Sequence, residues 1–392
     1  MKRIHGRGSL VATAVAATLA VCTTVTATAG PVERAQAKRI HDRLAGVPAS
    51  EATLDQMEAL IVGGNATGAA RIAMQSKTFY TTTVKNWVMP WTNRDQTVFA
   101  PLNDYVATVI GMVRDDVDFR QVLSGDILYI GGSGLPAYSA ADNNLYQQME
   151  DQDVDLSSTS VLVASTQSAH TGIPAAATAG VLTTRAAAQA FFIAGTNRAQ
   201  FRFTMINHMC KDMEQVHDTT RPPDRIRQDV SRSPGGDSRL FLNGCIGCHS
   251  GMDPLAQAFA YYNFNETTGR IEYTDGTVQP KYLINSDNFK PGYVTKSDGW
   301  DNYWRQGPNT VLGWDGALPG SGTGAKSMGT ELSHSDQFAR CAVEKVFKTV
   351  CLHPPVNGAE RQKVTDTIAI FRSGGYKLKD VFAETAAYCK GN

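Results

Sequence analysis

The 392-residue chain lacks a surplus of charge of either sign, with 37 Lys and Arg against 37 Asp and Glu. Without a positive excess to replace counterions along a phosphate backbone, it is not a strong nucleic-acid binder. After its first segment it also lacks any apolar run approaching the roughly 20 residues needed to cross a bilayer, so no transmembrane span is expected in the mature chain. Asp151, Asp153 and Asp155 are closely spaced acids. They lack the glycine and distal glutamate of a calcium loop, and read as a solvated loop. No quinone-cofactor or flavin signature is recognisable.

The N-terminus reads as an export leader. Lys2, Arg3 and Arg7 are basic, Leu10 to Val21 is apolar or small, and Ala27-Thr28-Ala29 offers a small-x-small cleavage site before Gly30. Val21 is too large for the usual lipoprotein position before Cys22, so Cys22 belongs to the discarded leader. Removing residues 1–29 leaves a formal charge near −3, because the leader carries three basic residues and no acids. A periplasmic or secreted location is expected. The remaining stretch of about 360 residues makes two domains or one large one.

The most informative residues are Cys245-Ile246-Gly247-Cys248-His249. Two thiols three positions apart, followed at once by histidine, form the attachment signature of a c-type haem. Each thiol adds to one vinyl group, and the imidazole of His249 then ligates the iron. A zinc site would need a second Cys/His pair at short spacing, and none is present. A thioredoxin-like pair favours a βαβ setting, which the pattern does not provide. One covalently attached haem c is therefore expected, with Cys245 and Cys248 binding the cofactor and His249 the metal.

The ligand opposite His249 decides the chemistry, since a strong second ligand favours electron transfer and an open position admits a small molecule. Met252 is too close to His249 to reach the far face. Met328, in a Gly/Ser-rich segment before a helix, is the expected second metal ligand; His334 competes, and an open site is the third option. His208, His217 and His353 are more distant alternatives. Arg270 offers a planar donor fork to a haem propionate. Trp300, Trp304 and Trp314 wall the haem edge or form ordinary core.

The run from Cys245 to Asn265 resembles a group of large secreted bacterial cytochromes of planctomycete and myxobacterial type, built of domains of unknown function. Their pattern places Met/Ile-Asp-Pro, an aromatic Phe-Asp and a Gly-x-x-Arg-like end after the haem motif. Met252-Asp253-Pro254, Phe264-Asn265 and Gly269-Arg270 match most of it, while Gln257-Ala258 and Asn265 depart from it. Phe338-Ala339-Arg340-Cys341 and Phe371-Arg372-Ser373-Gly374-Gly375-Tyr376 are similar to the group's C-terminal module. Upstream, Asp104 to Gly131 and Leu44 to Pro48 are similar to its helical modules.

The expected fold is mainly α. A helical N-terminal domain covers 30–235, with a long loop at 131–174 that holds a short helix near Asn144–Met149, and a cytochrome c-like haem domain with an irregular, aromatic-rich insertion covers 236–392. Helices are expected over Val32–Leu44, from the Ser50 cap to Ile61, over Ala66–Met74, Phe79–Trp91 and Arg185–Met209, and at the C-terminus over Ser335–Val350, Gly358–Phe371 and Leu378–Tyr388. Asp275-Gly276 suggests a tight hairpin. Setting aside Cys22 and the haem thiols leaves Cys210, Cys341, Cys351 and Cys389, expected as two disulfides. Cys341 and Cys351 are about 15 Å apart along one helix, beyond disulfide reach. Of the remaining pairings, Cys210–Cys341 with Cys351–Cys389 is the expectation. Together these features suggest an exported monohaem cytochrome that passes single electrons between protein redox partners. A haem enzyme, or a cytochrome subunit of a periplasmic dehydrogenase or oxidase, is the alternative, and a partner-docking protein whose helical N-terminal half does the main work is a third.

Overall fold

The computed structural model describes residues 30–193, 195–283 and 289–391; the leader at 1–29 lies outside them. The chain is mainly helical. Helix α1 (Pro31–Ala45) begins with proline, whose missing N–H costs nothing in the first turn, and stops at Gly46 with φ 71°. Helix α2 (Glu51–Val62) is capped by the Ser50 hydroxyl, which accepts from the Thr53 N–H at 3.1 Å. Helix α3 (Ala66–Ala73) is capped in the same way by Asn65. The expected helix over Phe79–Trp91 is three pieces: a π-helical stretch at Phe79–Val84, α4 (Lys85–Val88) and a 3₁₀ turn at Met89–Thr92. Helix α5 (Asp104–Arg114) is buried along its whole length.

The stretch 131–174 is more ordered than the sequence suggests. Strand β1 (Leu128–Gly131) pairs antiparallel with β2 (Leu162–Ser165), with α6 (Asn144–Asp151) between them and α7 (Ser168–Thr171) after. Four-residue strands carry too little alternation to be read from sequence. Asp151, Asp153 and Asp155 turn to separate local partners, Gln147, Lys77 and Ser157.

Arg185–Met209 is two helices, α8 (Arg185–Phe191) and α9 (Arg198–Met209). The break is held by Asn197 at φ 58°, whose side-chain amide donates to the carbonyls of Phe259 and Tyr262 at 2.9 and 2.8 Å. Two buried carbonyls of a distant segment are thereby satisfied, and helical continuity is given up to do it.

A short turn, α10 (Ser238–Leu240), and a π-helical turn at Phe241–Cys245 lead into α11 (Ile246–Ala256). Strands β3 (Tyr262–Asn265) and β4 (Arg270–Tyr273) form the next hairpin. Its turn lies at residues 266–269 and not at Asp275-Gly276: the Asn265 side chain accepts from the N–H groups of Thr267 and Thr268, and Gly269 takes φ 67°. Strands β5 (Gly299–Asp301) and β6 (Ser321–Thr323) pair inside the aromatic insertion. Helices α12 (Gly324–Ser333), α13 (Asp336–Cys351), α14 (Gly358–Ser373) and α15 (Leu378–Tyr388) complete the chain.

One apolar core runs from Ala37 to Ala386 and is continuous across position 235. Helices α1 and α3 pack against α15, and α1 also against α13, so the two ends of the sequence share it. Both expected disulfides are formed. Cys210–Cys341 ties the end of α9 to α13, and Cys351–Cys389 ties the end of α13 to the residue after α15. Among the described residues, no helix is long and apolar enough to cross a membrane.

Candidate haem-attachment site

Cys245 closes the π-helical turn and α11 carries the rest of the motif. On a helix, positions i, i+3, i+4 and i+7 share a face, which groups Cys245, Cys248, His249 and Met252. Both thiols are free. The opposite face is pared down to glycine. A Cβ at Gly247 would sit 2.1 Å from His217 Nε2, and one at Gly251 would sit 2.1 Å from Trp304 Nε1. Trp304 is fully buried behind the motif helix. Trp314 Nε1 donates to its carbonyl at 2.9 Å, and Trp300 Nε1 donates to Ser327. The tryptophans thus support the helix from behind.

His249 is held by Asp253, one turn further along α11. Its Nδ1 lies 3.1 Å from Asp253 Oδ1. Asp253 is wholly buried. Arg198, from α9, grips both its oxygens at 2.6 and 2.8 Å, and the Arg227 backbone N–H donates to Oδ2 at 3.2 Å. Asp229 takes the other side of the Arg198 guanidinium at 2.5 and 2.8 Å. Two arginines and two aspartates therefore balance inside the protein. Burial alone would raise the Asp253 carboxyl, but Arg198, with Arg227 and His249, holds it well below the usual carboxylate range. A carboxylate can only accept, so His249 Nδ1 carries the proton and Nε2 keeps the lone pair.

Beside this face lies an open groove of about 740 Å³, lined by Cys248, Met252, Met213, Ala199 and Phe203 with Arg94, Arg198 and Arg202. Its size falls in the range of cofactor sites, roughly 300–1,000 Å³. The Cys248 thiol donates to the Met213 carbonyl at 3.6 Å. Burial, reinforced by the Glu214 and Asp212 carboxylates, pushes that thiol up. Among the described residues, no three His, Cys, Asp or Glu side chains converge as an ion site, which leaves zinc without a ligand set at the motif. A haem would need two thiols, one imidazole, an apolar wall and cationic donors; of the motif residues Cys248 lines the groove, with Met252, Met213, Phe203 and three arginines, together with the Asp212 and Glu214 carboxylates, while Cys245 and His249 lie on the adjoining helix face.

The other expected site residues lie elsewhere. Met328 is fully buried within α12, where the sequence suggests a loop; the methionines lining the groove are Met213 and Met252. His334 caps α12 with its Nδ1 bonded to the Thr330 carbonyl at 2.9 Å. Arg270 begins β4 and is exposed on the hairpin, away from the groove lining. His208 is buried on Tyr105, and His353 bonds the Pro354 carbonyl at the surface. In the sequence Asp253 stands out only as part of Met252-Asp253-Pro254, and Arg198 does not stand out at all. A carboxylate four residues after the motif histidine on one helix was the available signal; Arg198 had none, being 55 positions from Asp253.

Compared with known protein families, curated proteins and solved structures, the chain finds no match.

Proposed function

We propose that the chain is an exported monohaem c-type cytochrome that exchanges single electrons with protein redox partners. The observation that carries this reading is the face of α11. Cys245 and Cys248 are free there, and His249 has its Nδ1 proton engaged by Asp253, leaving Nε2 to ligate iron. When bound, the haem supplies reversible one-electron exchange at iron. The thiols of Cys245 and Cys248 tether it, and Asp253 fixes the tautomer and ring plane of His249. Arg202 and Arg94 line the groove and already donate to Asp212 and to the Ala190 carbonyl, so propionates would take only their remaining N–H groups. Two disulfides accord with an oxidising compartment outside the cytoplasm.

A second reading is a haem enzyme with iron open on its far side, alone or as the cytochrome subunit of a dehydrogenase or oxidase. It is favoured by the burial of Met328 in α12 and by the bond that ties His334 to its own helix.

The test is spectroscopic. The reduced protein is expected to show c-type bands, and the haem is expected to stay with the polypeptide through acid–acetone extraction. Extraction of all the haem overturns the proposal. Carbon monoxide separates the two readings: resistance of the reduced protein supports electron transfer, and rapid binding supports the open site.

A further inference from the structure

A second hollow, of about 610 Å³, adjoins the motif groove and shares Asp212 with it. Ile206, Pro354 and Pro355 give it apolar walls, and Lys211, Lys345 and Lys348 bring three ammonium groups to it. The Cys210–Cys341 disulfide fixes this arrangement. Lys211 follows one of its cysteines in sequence, and Lys345 lies one turn beyond the other on α13.

Lys345 is the unusual member. Its Nζ sits 4.6 Å from the centre of the Trp91 ring. Among the described residues, none of the three lysine side chains has an ion-pair or hydrogen-bond partner. The carboxylates nearby are engaged elsewhere: Asp212 with Arg202 at 2.6 Å, and Glu344 with Arg340 at 3.8 Å. Buried His208 also faces Lys345, and burial with the nearby Lys345 charge lowers its pKa to about 3, so it stays uncharged. Lys348 lies three residues along the same helix face as Lys345 and adds a like charge. An amine that is desolvated and set beside another cation gives up its proton readily and becomes a nucleophile. Burial, then Lys348, lowers the Lys345 ammonium to about 7.

We infer that this pocket is a carbonyl-binding site in which the Lys345 amine forms an imine with a small oxo-acid whose carboxylate is held by Lys348 and Lys211. The step balances without a redox partner. The neutral amine adds to the carbonyl carbon, a proton passes from nitrogen to oxygen, and water leaves as the C=N bond forms. Lys345 supplies the nucleophile, while Lys348 and Lys211 select for a carbonyl compound that also carries an anionic group. Haem attachment plays no part in the inference.

Glyoxylate with cyanoborohydride, applied to the intact folded protein at pH 7 and followed by peptide mass mapping, tests it. Lys345 is expected to be trapped about tenfold or more faster than exposed lysines such as Lys38 and Lys77, because more of its amine is neutral at pH 7. Acetaldehyde, which lacks the carboxylate, is expected to lose that preference in part. Lys348→Met is expected to slow trapping at Lys345, because it removes both the like charge and an anchor for the carboxylate. Labelling spread evenly over the lysines overturns the inference, as does an unlabelled Lys345. Equal preference for the two aldehydes removes the role given to Lys348 and Lys211.

Discussion

The groove beside the motif and the lysine pocket share Asp212 as a wall, yet they treat positive charge differently. In the groove every arginine is engaged: Arg198 with Asp253 and Asp229, Arg202 with Asp212, and Arg94 with the Ala190 carbonyl. In the pocket, Lys211, Lys345 and Lys348 have no such partners among the described residues. Guanidinium groups offer a rigid fork that matches a carboxylate, so they suit permanent pairing; an ammonium is a compact charge that loses its proton when desolvated. One hollow therefore uses its charges to hold a histidine still, and the other keeps an amine available.

The largest expected effect breaks the shared scaffold. Cys210→Ser with Cys341→Ser opens a loop spanning 131 residues, and Cys351→Ser with Cys389→Ser opens one spanning 38. Loop-closure entropy gives losses of about 5 and about 4 kcal/mol respectively, to be read from denaturant unfolding. Only the first pair should also weaken the preferential labelling of Lys345 by glyoxylate, because only it positions Lys211 beside α13.

Asp253→Ala is expected to cost about 3–5 kcal/mol, since it removes the buried carboxylate paired with the Arg198 guanidinium and leaves the buried Arg227 backbone N–H without its acceptor. The Asp253 carboxyl titrates lower in the folded chain than in the unfolded one. Its contribution is therefore present above the ordinary carboxylate pKa, near 4, and is lost as pH falls below that toward the folded value. Unfolding curves of wild type and variant should converge in acid. In the haem-loaded protein, Asp253→Asn removes a negative charge near the iron and should raise the midpoint potential. Arg198→Lys loosens the grip on Asp253 while keeping the charge, and should lower it. A shift of both variants in the same direction would show that Asp253 has only a structural role.

Lys345→Met works in the opposite direction. Forcing a lysine to give up its proton costs the fold about 1.4 kcal/mol per unit of lowered pKa, so the variant should be more stable than wild type at neutral pH, by a margin that shrinks as pH rises toward 10. The folded Lys345 titrates near 7 against an ordinary 10.5, so between those values the unfolded chain binds the extra proton. Wild-type stability should climb across that window, and the variant should lack the climb. An identical pH profile for the two would overturn the unpaired state of Lys345.

Local signals carried much of this fold. Ser50, Gly46 and the apolar spacing of the last three helices mark their elements because caps and periodicity act within a few residues. The break at Asn197 did not announce itself, since it answers to carbonyls at 259 and 262. The same division runs through the site. Spacing alone identified Cys245, Cys248 and His249. The partners that set the state of His249 come from α9 and from residues 227 and 229, which sequence neighbours cannot reveal. Met328 and Arg270 were chosen on local context, and tertiary packing decided their places.

Helix α1 also meets the far end of the chain. Gln36 donates to the Gly391 carbonyl at 2.8 Å, Arg43 to that of Cys389 at 2.9 Å, and Arg39 to that of Lys390. The opening helix thus satisfies carbonyls that would otherwise be orphaned past the end of α15. Contacts between positions so far apart make the last step of folding slow. During vectorial synthesis α1 can pack on α2 and α3 at once, but its bonds to the chain end wait until residue 391 emerges. The clasp thus joins the first described helix to the last described residues only after the rest of the shared core has had time to form.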